Sequence, residues 1–228
     1  MEEIKSYTDF QRVLNRTYEN HNTIDEFQKL FDSIAKYVLS NLVIKVGKTT
    51  YIPVEIELYY RHSKIDNKES FKRTYNRDCQ AEELFLHYSG LDICFVSDKN
   101  TKCCGGILIR SLIKRTQQEQ KVITGPLRCA NELLNNCFKQ KTLPKISVEK
   151  NDIKKGIYKT IRQGIETGEK FDKIRKDHFT HRKHSSQVLP LFAYYIEGTD
   201  WPNDYSANPS INYKKEKIET RGKYSKPI

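Results

Sequence analysis

The sequence contains no long apolar run and no closely spaced pair of cysteines. No stretch approaches the roughly 20 apolar residues of a membrane-spanning helix, so we expect no part embedded in a membrane. The six cysteines form no Cys-x-x-Cys pair, and the adjacent Cys103 and Cys104 are poorly placed to share a metal ion. The first 20 residues are polar and do not read as a signal peptide. We therefore expect reduced thiols, no metal and no cofactor, in an intracellular protein of a prokaryotic cytoplasm or a eukaryotic nucleus.

A phosphate-binding loop is also missing. The segment Gly47-Lys48-Thr49-Thr50 lacks the earlier glycine and the following helix of such a loop. Three histidines, His178, His181 and His184, have helical spacing and make zinc conceivable, but no matching carboxylate or cysteine lies close. We expect them to contact phosphate or simply to be exposed.

The charge is strongly basic and unevenly distributed. The net charge is +11 and the pI is near 9.2, which favours a polyanionic partner. Residues 1–60 carry 7 basic and 9 acidic side chains, whereas residues 139–184 carry 14 basic and 6 acidic ones. A solvated lysine-rich surface is the alternative explanation, but the asymmetry favours a binding role for the second half.

The chain length suits one sizeable domain. We expect a polar, loosely held N-terminal segment at 1–22, a folded domain at 23–202, and a basic, mobile tail at 203–228. Apolar periodicity predicts helices at 23–39 and 125–137, the second beginning near Pro126. Strands are predicted at 41–46, 49–60, 82–88, 91–97, 104–115 and 189–198, with a turn at Gly47, a long loop at 61–80 and weak helical signals at 139–184.

This order of elements indicates the fold class. Helices do not alternate regularly with strands, so a doubly wound sheet is not expected. We predict a single α+β domain with a curved, mainly antiparallel sheet flanked by helices.

The strand at 54–60 carries the main functional signal. Because strand side chains alternate, Val54, Ile56 and Leu58 point one way, and a second set points the other way: Glu55, Glu57 and Tyr59. Such a face is either solvated or lines a site. Tyr60 points away from Tyr59, so only one of the two rings can share the carboxylate face, and Tyr59 as a core ring is an equal alternative.

The segment Val54-Glu55-Ile56-Glu57-Leu58-Tyr59 resembles the Val-Glu-x-Glu-x-Tyr motif of the alkyladenine (3-methyladenine) DNA glycosylases. The resemblance implies that Glu57 is the catalytic base and that Tyr59 packs against a base flipped out of the duplex. It also implies the fold of that family.

Further segments resemble the family in the same order along the chain, from about residue 30 to 202. The segment "KRTYNRD" is similar to a family loop and places Asn76 and Arg77 on its Asn-Arg pair. "CCGGILIRSL" places Arg110 on the family's site arginine, "GPLRCANELL" resembles its Gly-Pro helix, and Gly198 to Trp201 resemble its closing Gly-x-x-Trp.

The chain departs from the family at the residues that choose the base and grip the DNA. Ser89, with Tyr88 beside it, stands where the family inserts a tyrosine into the duplex. The family's pocket asparagine falls near Val96, and His62 is the only histidine near the position of its pocket histidine. The chemistry therefore carries over better than the choice of substrate.

The resemblance predicts a monofunctional DNA glycosylase that acts as a monomer on a damaged or otherwise modified base. The expected site comprises catalytic Glu57, the base-pocket residues Tyr59, His62, His87 and Tyr88, and the DNA contacts Arg77, Ser89 and Arg110. His87 would donate to the base or to a phosphate, although a lone histidine is more often structural. The alternatives are an inactive nucleic-acid-binding module on the same scaffold, and an enzyme acting on another nucleoside or nucleotide.

Overall fold

A computed structural model describes residues 3–18, 21, 23–61, 77–150, 156–160, 193–196 and 226–228. Three helices lie in this part of the chain: α1 (Tyr7–Leu14), α2 (Ile24–Asn41) and α3 (Pro126–Gln140). The strands there are β1 (Leu42–Val46), β2 (Thr49–Arg61), β3 (Leu84–His87), β4 (Gly90–Cys94), β5 (Cys104–Arg115), β6 (Gln120–Thr124), β7 (Lys145–Val148), β8 (Ile157–Thr160), β9 (Ala193–Ile196) and β10 (Lys226–Pro227).

Both N-terminal helices begin at reciprocal side-chain caps. Ser6 and Asp9 form a capping box at α1, and Thr23 and Glu26 form one at α2. The predicted helix at 23–39 is confirmed as α2, and the predicted helix at 125–137 is confirmed as α3, with Pro126 as its first residue.

The prediction of a loosely held N-terminal segment was wrong. Phe10, Val13 and Leu14 of α1 are buried in the hydrophobic core, and Phe10 stacks on Tyr37 of α2 with 5.2 Å between the ring centroids. The Val96 amide N–H also donates to the Leu14 carbonyl at 2.8 Å. Only two helical turns carry this apolar face, which is too short a run to stand out from polar neighbours.

The strands form one curled antiparallel sheet, in the order β10-β8-β9-β2-β5-β4-β3. In addition, β1 pairs with β2, β7 pairs with β1, and β6 pairs with β5. The predicted α+β class with an antiparallel sheet is thus confirmed for the described residues. The hairpin of β1 and β2 turns at Gly47, whose φ of +56° suits glycine.

The long strands β2 and β5 pair along nearly their whole length and form the spine of the sheet. The other edge of β2 pairs first with β1 and, from Glu55 onward, with β9. The other edge of β5 pairs with β4 up to Leu108 and with β6 from Ser111. The sheet therefore divides at Glu55, Arg110 and Ser111.

Two irregularities in the ladder fall at this division. Pro53 pairs with Leu112 and Glu55 with Ser111, so Val54 is an extra residue on β2. Ile56 then pairs with Ile109, so Arg110 is an extra residue on β5. A proline lacks an N–H donor and is usual beside such a bulge, and bulges bend a strand and re-aim its side chains.

The core lies between one face of this spine and the helices. Val54, Ile56, Leu58 and Tyr60 are fully buried there, and the Tyr60 ring lies 5.5 Å from Phe27 of α2 between centroids. The Tyr60 hydroxyl also accepts the backbone N–H of Tyr18 at 3.2 Å. Tyr60 is therefore the core ring, and Tyr59 lies on the opposite face.

The second half of the chain differs from prediction. Residues 145–148 and 157–160 are strands rather than helix, and β6 was not predicted. Lys226 and Pro227, in the predicted mobile tail, pair with β8. Of the predicted strand at 189–198, the described residues are those of β9 (Ala193–Ile196). No helix in the described part of the chain is long and apolar enough to span a membrane.

Candidate active site

Glu55 and Glu57 are buried on the sheet face opposite the core. Their exposed fractions are 4% and 1%, so this face of β2 is not solvated. Burying two carboxylates costs several kcal/mol each unless donors and opposite charges surround them. The alternation of side chains along β2 therefore brings the predicted catalytic residue into a built polar site rather than into water.

Arg110 lies between the two carboxylates. Its Nη1 is 3.2 Å from Oε1 of Glu57, and its Nε is 3.5 Å from Oε1 of Glu55. Burial alone would lower the pKa of Arg110, but the charges of Glu57 and Glu55 hold that pKa above its ordinary value. The guanidinium is thus a permanent cation that offsets the repulsion between the two glutamates.

The bulge on β5 explains how this arrangement forms. At a bulge, two successive side chains reach the same face of the sheet. Arg110 and Ser111 both reach the carboxylate face in this way, and the Ser111 hydroxyl donates to Oε2 of Glu55 at 2.8 Å.

Tyr59 completes the set of groups around Glu57. Its hydroxyl donates to Oε2 of Glu57 at 2.7 Å, so Arg110 and Tyr59 approach different oxygens of one carboxylate. The alternative that Tyr59 is a core ring is not what the structure shows, because its hydroxyl is engaged at the site. Together these residues form a carboxylate cluster: Glu55, Glu57, Tyr59, Arg110 and Ser111.

The first turn of α3 lies close to this cluster. Gly90 of β4, whose φ is +149°, faces Pro126 so closely that a Cβ would come within 2.8 Å of it. Burial raises the pKa of the Cys129 thiol, one turn further along, and the nearby charge of Glu55 raises it further. The Gly125 backbone N–H also donates to the Arg110 carbonyl at 2.8 Å, so the beginning of α3 lies beside the carboxylate cluster.

A second buried ionic group lies on the same face of the sheet. Arg77 Nη1 is 2.6 Å from Oδ2 of Asp92, and Nε2 of His87 is 3.1 Å from Oδ1 of the same carboxylate. Their side chains are 1%, 3% and 7% exposed for Arg77, Asp92 and His87 respectively. These three residues form an aspartate cluster.

The two clusters lie side by side on one face of the sheet. Glu57, Leu108 and Asp92 pair side by side across β2, β5 and β4, so Glu57 and Asp92 are two strand spacings apart, about 10 Å between Cα atoms. Gly106, which pairs with Tyr59, leaves room for the second cluster. A Cβ on Gly106 would come within 2.4 Å of Arg77 Nη1 and 2.5 Å of Asp92 Oδ2.

Two arginines that were predicted to contact DNA instead form buried ion pairs within the protein. Arg77 was expected on phosphate, but its guanidinium is buried against Asp92 and over the Phe85 ring, 4.7 Å from the centroid. Burial would lower the pKa of Arg77, and the charge of Asp92 outweighs it and leaves the pKa raised. Arg110, also expected on DNA, instead holds the carboxylate cluster together.

The remaining predicted residues lie either at the turn between β3 and β4 or outside the described residues. Tyr88 and Ser89 form the two-residue turn between β3 and β4, and Tyr88 is 79% exposed rather than part of a pocket with Glu57. His87 is buried beneath that turn. His62, Asn76, the histidines at 178, 181 and 184, and the segment from Gly198 to Trp201 lie outside the described residues.

Two polar residues of the site were missed in the sequence. Asp92 and Ser111 stand in otherwise apolar strands, where an acidic or hydroxyl side chain signals a paired polar group. The alternation of side chains that identified Glu57 also predicts that Asp92 points to one face of the sheet while Leu91 and Ile93 point to the other. Asp92 would thereby be placed on the polar face.

A scan against protein-family models and a search of curated proteins found no match to this chain.

Proposed function

We propose that this chain is a monofunctional DNA glycosylase that hydrolyses the N-glycosidic bond of a modified base and leaves an abasic site. The observation that carries the proposal is the buried Glu57, held between the Arg110 guanidinium and the Tyr59 hydroxyl where the sheet divides. The resemblance of the motif around Glu57 to the alkyladenine DNA glycosylases supports the same reaction and the same fold.

Glu57 would act as the general base for water. In this reaction the bond between C1′ and the base nitrogen breaks, and the departing base takes the bonding electrons. The water oxygen bonds to C1′, and the proton lost by the water passes to Glu57. The negative carboxylate also stabilises the positive charge that develops on the sugar, while Arg110 and Tyr59 hold it in place.

We propose DNA as the partner because the chain has a large positive net charge and an exposed aromatic ring in the β3–β4 turn. The net charge of +11 favours a polyanion, and its phosphate contacts would make binding sensitive to salt. A base within a duplex has to be extruded before Glu57 could reach its glycosidic bond. Tyr88 at the tip of the β3–β4 hairpin is a ring on which a neighbouring base can stack.

We propose a monomeric enzyme in a reducing intracellular compartment, as the six free thiols favour.

A second candidate is an inactive DNA-binding module on the same scaffold. It is favoured by the very low exposure of Glu57, and by Ser89 at the position where the resembled family inserts a ring. The retention of Glu57 with two donors on its carboxylate is the observation against it.

The test is the formation of abasic sites in a panel of DNAs that carry different damaged or modified bases. Heat or alkali then cleaves the backbone at each abasic site. We expect cleavage with the native chain and a loss of about 100-fold or more with Glu57→Gln, as for removal of a general base. Glu132→Gln is the matched control, since Glu132 accepts from Tyr51 and pairs with Lys114 away from the site.

Three outcomes are distinguished by measuring folding and DNA binding of each variant alongside activity. Unchanged turnover in a folded Glu57→Gln variant would refute the role of Glu57. Salt-sensitive DNA binding with no cleavage of any substrate would favour the binding module. Equal activity on free nucleosides and on DNA would instead indicate a nucleoside hydrolase.

A further inference from the structure

The two-residue turn at Tyr88 and Ser89 is not one of the turn types that such hairpins favour most. Hairpins with two-residue loops favour turns in which the first loop residue, or both, has a positive φ, because only those match the twist of the strands. Neither Tyr88 nor Ser89 has a positive φ, and the rare backbone angle falls on Gly90 instead. Such a turn matches the strand twist less well, so contacts from outside its own backbone can stabilise it.

The ring of His87 supplies a contact inside the turn. The Ser89 backbone N–H donates to Nδ1 of His87 at 3.2 Å. An accepting Nδ1 carries no proton, so the proton of the neutral ring is on Nε2, which donates to Oδ1 of Asp92 at 3.1 Å. The turn therefore selects one tautomer of His87, and Asp92 stabilises that tautomer.

Further contacts fix the other end of this chain of bonds. Arg77 donates to the second oxygen of Asp92 at 2.6 Å. Phe85 stacks on His87 with 5.8 Å between centroids, and the Arg77 guanidinium lies over the Phe85 ring. The ring of His87 is thus held in orientation by groups on β3, β4 and the segment before them. Tyr88, by contrast, is 79% exposed.

We infer that the aspartate cluster is a positioning device for the turn, and that His87 acts through the Ser89 amide to hold Tyr88 at the surface that meets DNA. His87 itself contacts neither the base nor a phosphate in this arrangement. The inference rests on the proposed function for the identity of the partner, but the hydrogen bonds it depends on are measurable in the protein alone.

The protein-only experiment uses nuclear magnetic resonance on the native chain and two variants. We expect the imidazole ¹⁵N signals of His87 to report a proton on Nε2, and the Ser89 amide to exchange slowly with solvent. His87→Gln removes the acceptor at the Nδ1 position and should speed that exchange about fivefold to tenfold, the worth of one hydrogen bond. His87→Asn restores an acceptor oxygen near that position and should keep most of the protection.

The second arm measures DNA binding with His87→Gln, Tyr88→Ala and the double variant. If His87 acts through Tyr88, the double variant binds no more weakly than Tyr88→Ala alone. A proton on Nδ1 in the native chain, or a Ser89 amide exchanging as fast as in an open turn, would overturn the inference even if His87→Gln failed to fold. Additive losses would overturn the link to Tyr88. Failure of the proposed function would appear instead as absent base release, with the turn still protected.

Discussion

Arg110 determines how two carboxylates can share one buried face of a strand. Its guanidinium approaches Glu57 at 3.2 Å and Glu55 at 3.5 Å, and no hydroxyl or amide could replace its charge. Alternation along β2 predicted that Glu55, Glu57 and Tyr59 share a face. The bulge that brings Arg110 and Ser111 onto that face was not predictable, because it arises from the pairing of residues more than 50 positions apart.

Removing the guanidinium should therefore destabilise the fold strongly. Arg110→Met is expected to lower the free energy of unfolding by about 3–5 kcal/mol, the usual cost of leaving a buried charge without its partner. Arg110→Lys should cost less, because the ammonium keeps the charge but not the planar fork. Urea unfolding measures both values, and Arg115→Met, an exposed change on the same strand, is the control. A loss no larger than in the control would mean that Glu55 and Glu57 do not depend on Arg110.

The buried thiol of Cys94 should make the free energy of unfolding depend on pH in the alkaline range. Burial raises the pKa of Cys94 from 9.0 to about 12. In the unfolded chain the thiol ionises first, so ionisation stabilises the unfolded state as pH rises from 9 toward 12, and native stability falls. We expect the stability difference between the native chain and Cys94→Ala to narrow as pH is raised from 7.5 to 10. A difference that stays constant in urea titrations at the two pH values would contradict the buried, protonated thiol.

Among the elements, helix α1 was not predicted from the sequence because it is short. Its two turns place Phe10, Val13 and Leu14 in the core, but polar residues surround them on the chain. Strands β7 and β8 were not predicted for a similar reason, since each has four residues and lies among lysines, where apolar periodicity is weak. The long helices and the central strands were predictable because their apolar patterns extend over many residues.

If α1 is part of the domain, its buried ring should contribute to stability. Phe10→Ala is expected to lower the free energy of unfolding by about 3–5 kcal/mol, as for other buried aromatic residues. Arg12→Ala, on the exposed side of the same helix, should change it little. Chemical denaturation of the pair gives the comparison, and equal effects would show that α1 does not pack on the core.

The residues at the turn of the β3–β4 hairpin affect how easily the chain could open a DNA duplex. Ser89 is too small to fill the gap that a flipped nucleotide leaves, and unstacking costs a few kcal/mol. We therefore predict that the chain works relatively better on single-stranded or weakly paired DNA than the family it resembles. One modified base is compared in single strand, mismatch and full duplex.

The same comparison tests Tyr88 directly. Tyr88→Ala should weaken action on duplex DNA at least about fivefold, the lower end of base–aromatic stacking. Phe138→Ala is the control, since Phe138 is equally exposed, at 79%, near the other end of α3. Strong preference for full duplex, unaffected by Tyr88→Ala, would mean that another segment fills the gap.

At the scale of the whole molecule, the sequence predicted the fold class, the hairpin of β1 and β2 and the antiparallel pairing. It did not predict where the sheet divides, because that depends on which strands join each edge of β2 and β5. The division matters for function, since a regular ladder would leave Arg110 and Ser111 on opposite faces. Two bulges and four neighbouring strands together create a charged, buried site opposite the core.

The central claim is that this chain releases a base from DNA, and the direct measurement is the free base itself. Native protein and Glu57→Gln are incubated with genomic DNAs of different modification content, and mass spectrometry counts the bases in solution while abasic sites are counted in the DNA. We predict that the native chain releases one class of modified base, with one abasic site for each base released, and that Glu57→Gln releases none above background. DNA binding by the native chain with no base released from any of these DNAs would contradict the account.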